Sequence, residues 1–96
     1  MDMNNYIAEA KNKIIKANEE RLKFPPNYGS YDNLIKEAIF LYEEALAETI
    51  DSSEIYFEIG KLRLLLKDKI GACQDFEKAK NLGHHEAVEM INNYCK

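Results

Sequence analysis

The chain has 96 residues, 46% of them hydrophobic, and a formal net charge of −4. This length permits one small domain with a single core, and the negative charge disfavours nucleic-acid binding, because binding to phosphates depends on basic side chains. The apolar runs are far shorter than the ~20 residues of a transmembrane helix, and the N-terminus lacks the basic and apolar regions of a signal peptide. We therefore expect a cytoplasmic protein that binds neither membrane nor nucleic acid.

The two cysteines, Cys73 and Cys95, do not form a CxxC pair. Their number is also far below the cysteine density of small secreted proteins that depend on disulfides. We expect both thiols to be reduced.

The first predicted helix covers residues 4–23, where apolar residues recur at helical spacing. The helix is expected to end before Pro25, because a residue that precedes proline is displaced from the helical conformation and proline donates no backbone hydrogen bond. A loop of residues 24–33 is predicted to follow. The apolar positions of the helix are Ile7, Ala10, Ile14 and Ala17.

The second predicted helix begins at a capping residue, Ser30 or Asp32, and ends near Thr49. Its apolar residues follow the spacing of a buried helical face closely. These predicted core residues are Ile35, Ala38, Ile39, Tyr42, Ala45 and Leu46.

Three shorter helices are predicted after the second one. Asp51 to Glu54 resembles a helix start, Asp68 is expected to cap the fourth helix, and Gly83 can adopt the left-handed conformation that ends it. The fifth helix covers residues 86–94. The predicted inward positions are Ile55, Tyr56, Ile59, Leu62 and Leu66 in the third helix, Ile70, Cys73, Phe76 and Ala79 in the fourth, and Ala87, Val88, Ile91 and Tyr94 in the fifth.

An internal repeat links the second and fourth helices. Ala38, Tyr42 and Ala45 recur 34 residues later as Ala72, Phe76 and Ala79, and Tyr56-x-x-Ile59-Gly60 precedes the second set. In this pattern the chain resembles the tetratricopeptide repeat family. The small residues Gly60 and Ala72 are expected where two helix backbones approach closely, and Tyr56 and Phe76 where space between helix pairs must be filled.

The resemblance implies an all-α, right-handed stack of antiparallel helix hairpins, with about five helices in a single domain of residues 1–96. Residues 1–50 would form a divergent first repeat with a loop insertion at 24–33, residues 53–83 a complete repeat, and residues 84–96 a capping helix. Two positions depart from the family pattern: Arg63 replaces a usual aromatic residue, and His84 a frequent proline. Residues 75–87 are also similar to Sel1-like helical repeats.

Proteins of this family generally bind a peptide or protein segment on the surface lined by the first helix of each pair. We therefore predict that a stripe on the third helix binds a partner, unless the N-terminal helix covers it. The family's carboxylate clamp is not reproduced, because Phe57 and Glu58 occupy the corresponding positions. The predicted partner-binding residues are Phe57, Lys61, Leu64 and Leu65.

The aromatic residues of the 24–33 loop, Phe24, Tyr28 and Tyr31, have two interpretations. They could contact a partner, because aromatic side chains are enriched in binding sites. They could also fold back and cover the N-terminal end of a core that has few repeats. We favour this second role as a plug, because small cores are short of apolar cover.

The sequence does not suggest an enzyme, a metal site or a cofactor. His84 and His85 are adjacent, so their side chains diverge, and no phosphate-binding loop or nucleophile motif is present. We predict a non-catalytic protein-interaction module whose partner, a protein or peptide, is unidentified. The main alternative is a small acidic inhibitor that masks a basic site, because residues 32–60 contain eight acidic residues and one basic residue. An end-to-end homodimer is a further alternative.

Overall fold

The computed structural model describes residues 2–95 and contains five α-helices: α1 (Met3–Arg21), α2 (Tyr28–Leu46), α3 (Ser53–Leu65), α4 (Lys69–Asn81) and α5 (His85–Tyr94). No strand occurs in this part of the chain. The prediction of an all-α protein with five helices is therefore confirmed. Within the same residues, none of the helices has the length and apolar character required to cross a membrane.

The helices form two compact units, which divide between Glu48 and Thr49. In the first unit α1 packs against α2, and in the second unit α4 packs against both α3 and α5. Because only short turns join α1 to α2 and α3 to α4, each of these pairs is a helical hairpin.

Asn27 sets the start of α2, although Ser30 or Asp32 was the expected cap. Its Oδ1 accepts a hydrogen bond from the backbone N–H of Ser30 at 3.1 Å, so α2 already begins at Tyr28. The predicted 24–33 loop is therefore too long by the first turns of this helix. The end of α1 at Arg21 agrees with the expected stop before Pro25.

The predicted cap of α4 is confirmed, because Asp68 Oδ1 accepts from the N–H of Gly71 at 2.9 Å. The predicted cap of α3 is not: its N-cap is Ser52, which makes no side-chain capping bond, and Asp51 Oδ1 accepts from the N–H of Ser53 at 3.2 Å in the turn before the helix. Gly83 ends α4 with a positive φ of 98°, the conformation in which glycine is favoured.

The buried face of the first unit combines two small residues of α1 with larger ones of α2. Ala10 and Ala17 are completely buried, and small side chains at such positions allow two helices to approach closely. The buried residues of α2 are Tyr31, Ile35, Ala38, Ile39, Tyr42 and Ala45.

The core of the second unit is built around Phe76. Its ring centroid lies 5.8 Å from that of Phe57, and Ala72, Ala79 and Ala87 complete the cluster. A Cβ atom added at Gly60 would lie 2.6 Å from Cε1 of Phe76. Gly60 is therefore small because it accommodates this ring, and not because two backbones meet there as predicted.

Three predicted core residues are exposed: Ile70, Val88 and Tyr94, at 78%, 41% and 48% of their surface. The error at Ile70 follows from helix geometry. Residues spaced by three positions drift by about 60° per step around a helix with 3.6 residues per turn. Ile70 consequently lies on the side of α4 opposite Ala79.

A disulfide bond joins Cys73 and Cys95, whose Cα atoms are 5.8 Å apart. The expectation of reduced thiols is therefore wrong. Because Cys73 lies in α4 and Cys95 directly follows α5, the bond ties the end of α5 to α4. Disulfides persist mainly in oxidising compartments, so the cysteines no longer support a cytoplasmic location.

We predict that Gly60→Ala destabilises the protein, although alanine favours a helix by about 1 kcal/mol over glycine. The added methyl group would overlap the fully buried Phe76 ring, and overpacking of this kind costs about 1–3 kcal/mol. Urea denaturation would measure the loss. The double variant Gly60→Ala/Phe76→Leu should regain part of the lost stability, whereas a stable single variant would contradict this packing.

We predict that the double variant Cys73→Ser/Cys95→Ser loses about 3 kcal/mol of stability, because the bond closes a chain segment with a sequence separation of 22 residues. Hydrogen exchange should show that α5 loses protection before α3 and α4 do, since a helix of 10 residues is not stable alone. Wild-type protein in a thiol reductant should behave like the variant. Unchanged protection of α5 in both samples would contradict a stabilising bond.

Candidate functional site

The predicted binding stripe on α3 is not an open groove. Phe57 is only 5% exposed and belongs to the core cluster of the second unit, and Leu64 packs against the same cluster. Lys61 Nζ lies 4.8 Å from the centroid of the Phe57 ring, while Leu65 is 50% exposed. The prediction that Phe57 is accessible is wrong, because residues of α4 and α5 pack against it in the core of the second unit.

The three aromatic residues of the predicted loop have different environments. Phe24 is fully exposed and Tyr28 is 61% exposed, whereas Tyr31 is buried in the first unit. Of these three residues, only Tyr31 is buried, as the interpretation as a plug requires. Phe24 adds no cover to the core.

The candidate site is a shallow cleft of about 280 Å³ between α1 and α2. Glu9 and Lys13 are one turn apart on α1, and they face Glu37, Phe40 and Leu41 of α2 across this cleft. The buried face of α2 includes Ala38, Ile39 and Tyr42, so Phe40 points away from it and remains 52% exposed. Most of the surface inside the cleft is apolar.

An ion pair crosses the cleft and links its two helices. Lys13 Nζ lies 3.2 Å from Glu37 Oε2, and both side chains are partly exposed. Such exposed pairs contribute at most about 1 kcal/mol. A second, more polar cleft of about 290 Å³ continues along α1 past Asn12 and Lys16. The site is thus an apolar patch around Phe40 with charged residues at its edge.

Phe40 is not among the site residues predicted from the sequence. It lies outside the apolar spacing of the α2 core, which favours exposure, but Phe57 also lies outside the predicted core spacing of α3 and is buried. The spacing alone therefore does not separate an exposed aromatic residue from a core residue.

His84 packs against the core of the second unit and is not part of the cleft. Its ring stacks on that of Phe57, with 4.1 Å between the centroids, and its Nε2 lies 2.6 Å from Glu54 Oε2. His84 therefore closes the core of the second unit at the start of α5.

Arg63 neutralises a buried carboxylate of α4. Its Nη1 donates to Asp75 Oδ2 at 2.7 Å, and the Asp75 side chain is only 4% exposed. Loss of one partner from such a pair leaves a charge without compensation in a poorly solvated environment. The pair links α3 to α4 within the second unit.

Within residues 2–95, no group of three or more His, Cys, Asp or Glu side chains is placed to hold a metal ion. No protein-family model matches the chain, and neither a curated protein nor a solved structure shows significant similarity to it.

Proposed function

We propose that this protein is a non-catalytic interaction module that binds a segment of another protein in the cleft between α1 and α2. The observation that carries the proposal is the half-exposed Phe40 beside Leu41 in a mostly apolar cleft. An exposed aromatic ring in a concavity can be buried by one side chain of a partner, and such anchors contribute most of the affinity in protein interfaces.

The dimensions of the cleft favour a side chain over a complete small molecule. Small-molecule sites are concave, have volumes of about 300–1,000 Å³ and enclose most of the ligand surface. This cleft, at about 280 Å³, lies just below that range and is open to solvent. The cross-helix pair of Lys13 and Glu37 suits a rim that orients a bound segment, because each charge already has a partner.

We also propose that the two hairpins stack as consecutive repeats of the tetratricopeptide type. The proposal is supported by the burial of the repeated residues in both hairpins: Ala38, Tyr42 and Ala45 in α2, and Ala72, Phe76 and Ala79 in α4. The same three positions thus carry the buried face of the second helix in each hairpin.

The stack predicts that the two units unfold together, because neighbouring repeats stabilise each other. Urea denaturation followed by NMR should give the same midpoint for amides of α2 and α4. Two separate midpoints would contradict stacking. They would leave the proposed cleft unaffected, since α1 and α2 alone form it.

We predict that Phe40→Ala weakens binding of a peptide partner by about tenfold, the effect expected when an aromatic anchor is lost. Peptides selected from a random displayed library on the wild-type protein would supply the ligands, and calorimetry the affinities. Leu65→Ala is the matched control, because Leu65 is exposed to a similar extent at 50%, compared with 52% for Phe40.

If the peptides bind the Leu65→Ala variant more weakly and the Phe40→Ala variant as tightly as the wild type, the binding site is on α3 and not in the cleft. Peptides that bind both variants as tightly as the wild type would contradict both locations. Circular dichroism of each variant separates a loss of binding from a loss of structure.

A further inference from the structure

We propose that the bound segment is cationic: an amphipathic helix of a partner protein, with an apolar anchor that covers Phe40 and a lysine or arginine that reaches Glu44. This inference rests on the proposed function and adds the chemistry of the partner. It follows from the charges around the cleft, from the end of α2, and from a comparison of the two hairpins.

The face of α2 that carries Phe40 is acidic. Glu37, Phe40 and Glu44 are spaced by three and four residues, so they share one side of the helix. Both glutamates are exposed. From Glu37 to the end of α2 at Leu46 the sequence contains no lysine or arginine. A segment that covers Phe40 therefore meets Lys36 and the Lys13–Glu37 pair on the N-terminal side of the ring, and the Glu44 carboxylate on the other side.

The C-terminal end of α2 adds to the negative potential. The carbonyl groups at the end of a helix carry a partial negative charge, which basic side chains normally offset. The last turns of α1, α3 and α4 contain such residues, and those of α2 and α5 contain none. The last turn of α2 also contains the exposed Glu44. This end of α2 would therefore attract a cation of a partner.

The two hairpins provide an internal control for this surface. Thirty-four residues after Phe40 and Glu44, at the same positions of the repeat, α4 carries Gln74 and Lys78. Both of these residues are exposed. The repeated core therefore needs neither an aromatic residue nor an acid at these positions, so the packing of a hairpin does not explain Phe40 and Glu44.

The basic residues near the cleft determine where the cation would bind. Lys13 is paired with Glu37, and Lys36 lies one turn before Phe40. Both are near the N-terminal side of the ring. We therefore place the partner's cation on the other side, at Glu44. The exposed carboxylates of Glu37 and Glu44 disfavour an anionic lipid surface as the occupant.

The test uses two synthetic helical peptides with the same leucine pattern, one with lysine and one with glutamate on the polar positions. Fluorescence anisotropy would measure their binding to the full chain. We expect the lysine peptide to bind at least about tenfold more tightly, and this difference to decrease as salt is raised from 50 to about 300 mM. Equal binding of the two peptides, or no binding of either, would overturn the inference.

Single charge variants test the position of the cation. Glu44→Gln should weaken binding of the lysine peptide by about three- to fivefold, the range of one exposed charge pair, and Glu37→Gln should weaken it less. Lys13→Gln should strengthen binding about twofold, because it removes a repelling charge and the existing partner of Glu37. Glu77→Gln on α4, where the exposed side chain pairs with Lys80, is the control and should change nothing.

The relative losses of affinity of these variants decide between the interpretations. Equal losses with Glu44→Gln and Glu77→Gln would indicate attraction to net charge alone and would overturn the assignment to Glu44. If library-selected peptides depend on Phe40 while the lysine peptide does not bind, the proposed function stands and the cationic partner is wrong. If the lysine peptide binds without any dependence on Phe40, the cleft itself is wrong.

Discussion

The contact between the Phe76 ring and the gap at Gly60 determines how the second unit is built. The ring is completely buried, and no side chain larger than hydrogen fits at position 60 without displacing it. With Phe76 in this position, Phe57 packs against it, and His84 stacks on Phe57 from the start of α5. The face of α3 that could have formed a groove is consequently part of the core.

This arrangement explains why the binding surface predicted from the repeat pattern is closed. A surface lined by the first helix of a hairpin is open only if no other element covers it. Here α5 packs against α4 and contributes Ala87 to the cluster that contains Phe57. The disulfide between Cys73 and Cys95 holds the end of α5 to α4. Covering the last hairpin and exposing a groove on α3 are competing uses of the same apolar residues, and burial prevails because a small core needs all its apolar contacts.

The sequence predicted the helices well where a local signal defines them. Pro25, Asp68 and Gly83 act through their own backbone or side chain, and the structure places helix ends at or near each one. The prediction failed at the start of α2, where Ser30 and Asp32 were the expected caps and Asn27 caps the helix instead. The disulfide was missed because Cys73 and Cys95 come together only through the turn between α4 and α5. The cleft was missed because its residues are distant in sequence and meet only when α1 packs on α2.

The two hairpins share one buried pattern and differ on their outer faces. In α4, Asp75 occupies the position of Leu41 and pairs with Arg63, so this position links α4 to α3. In α2, the same position carries Leu41, which lies beside an exposed Phe40 and contributes to an apolar cleft. A single exposed apolar side chain is common on protein surfaces, and Phe24 and Ile50 are exposed as well. What distinguishes Phe40 is its position beside Leu41 in a mostly apolar cleft, and the proposed contact with a partner rests on that position.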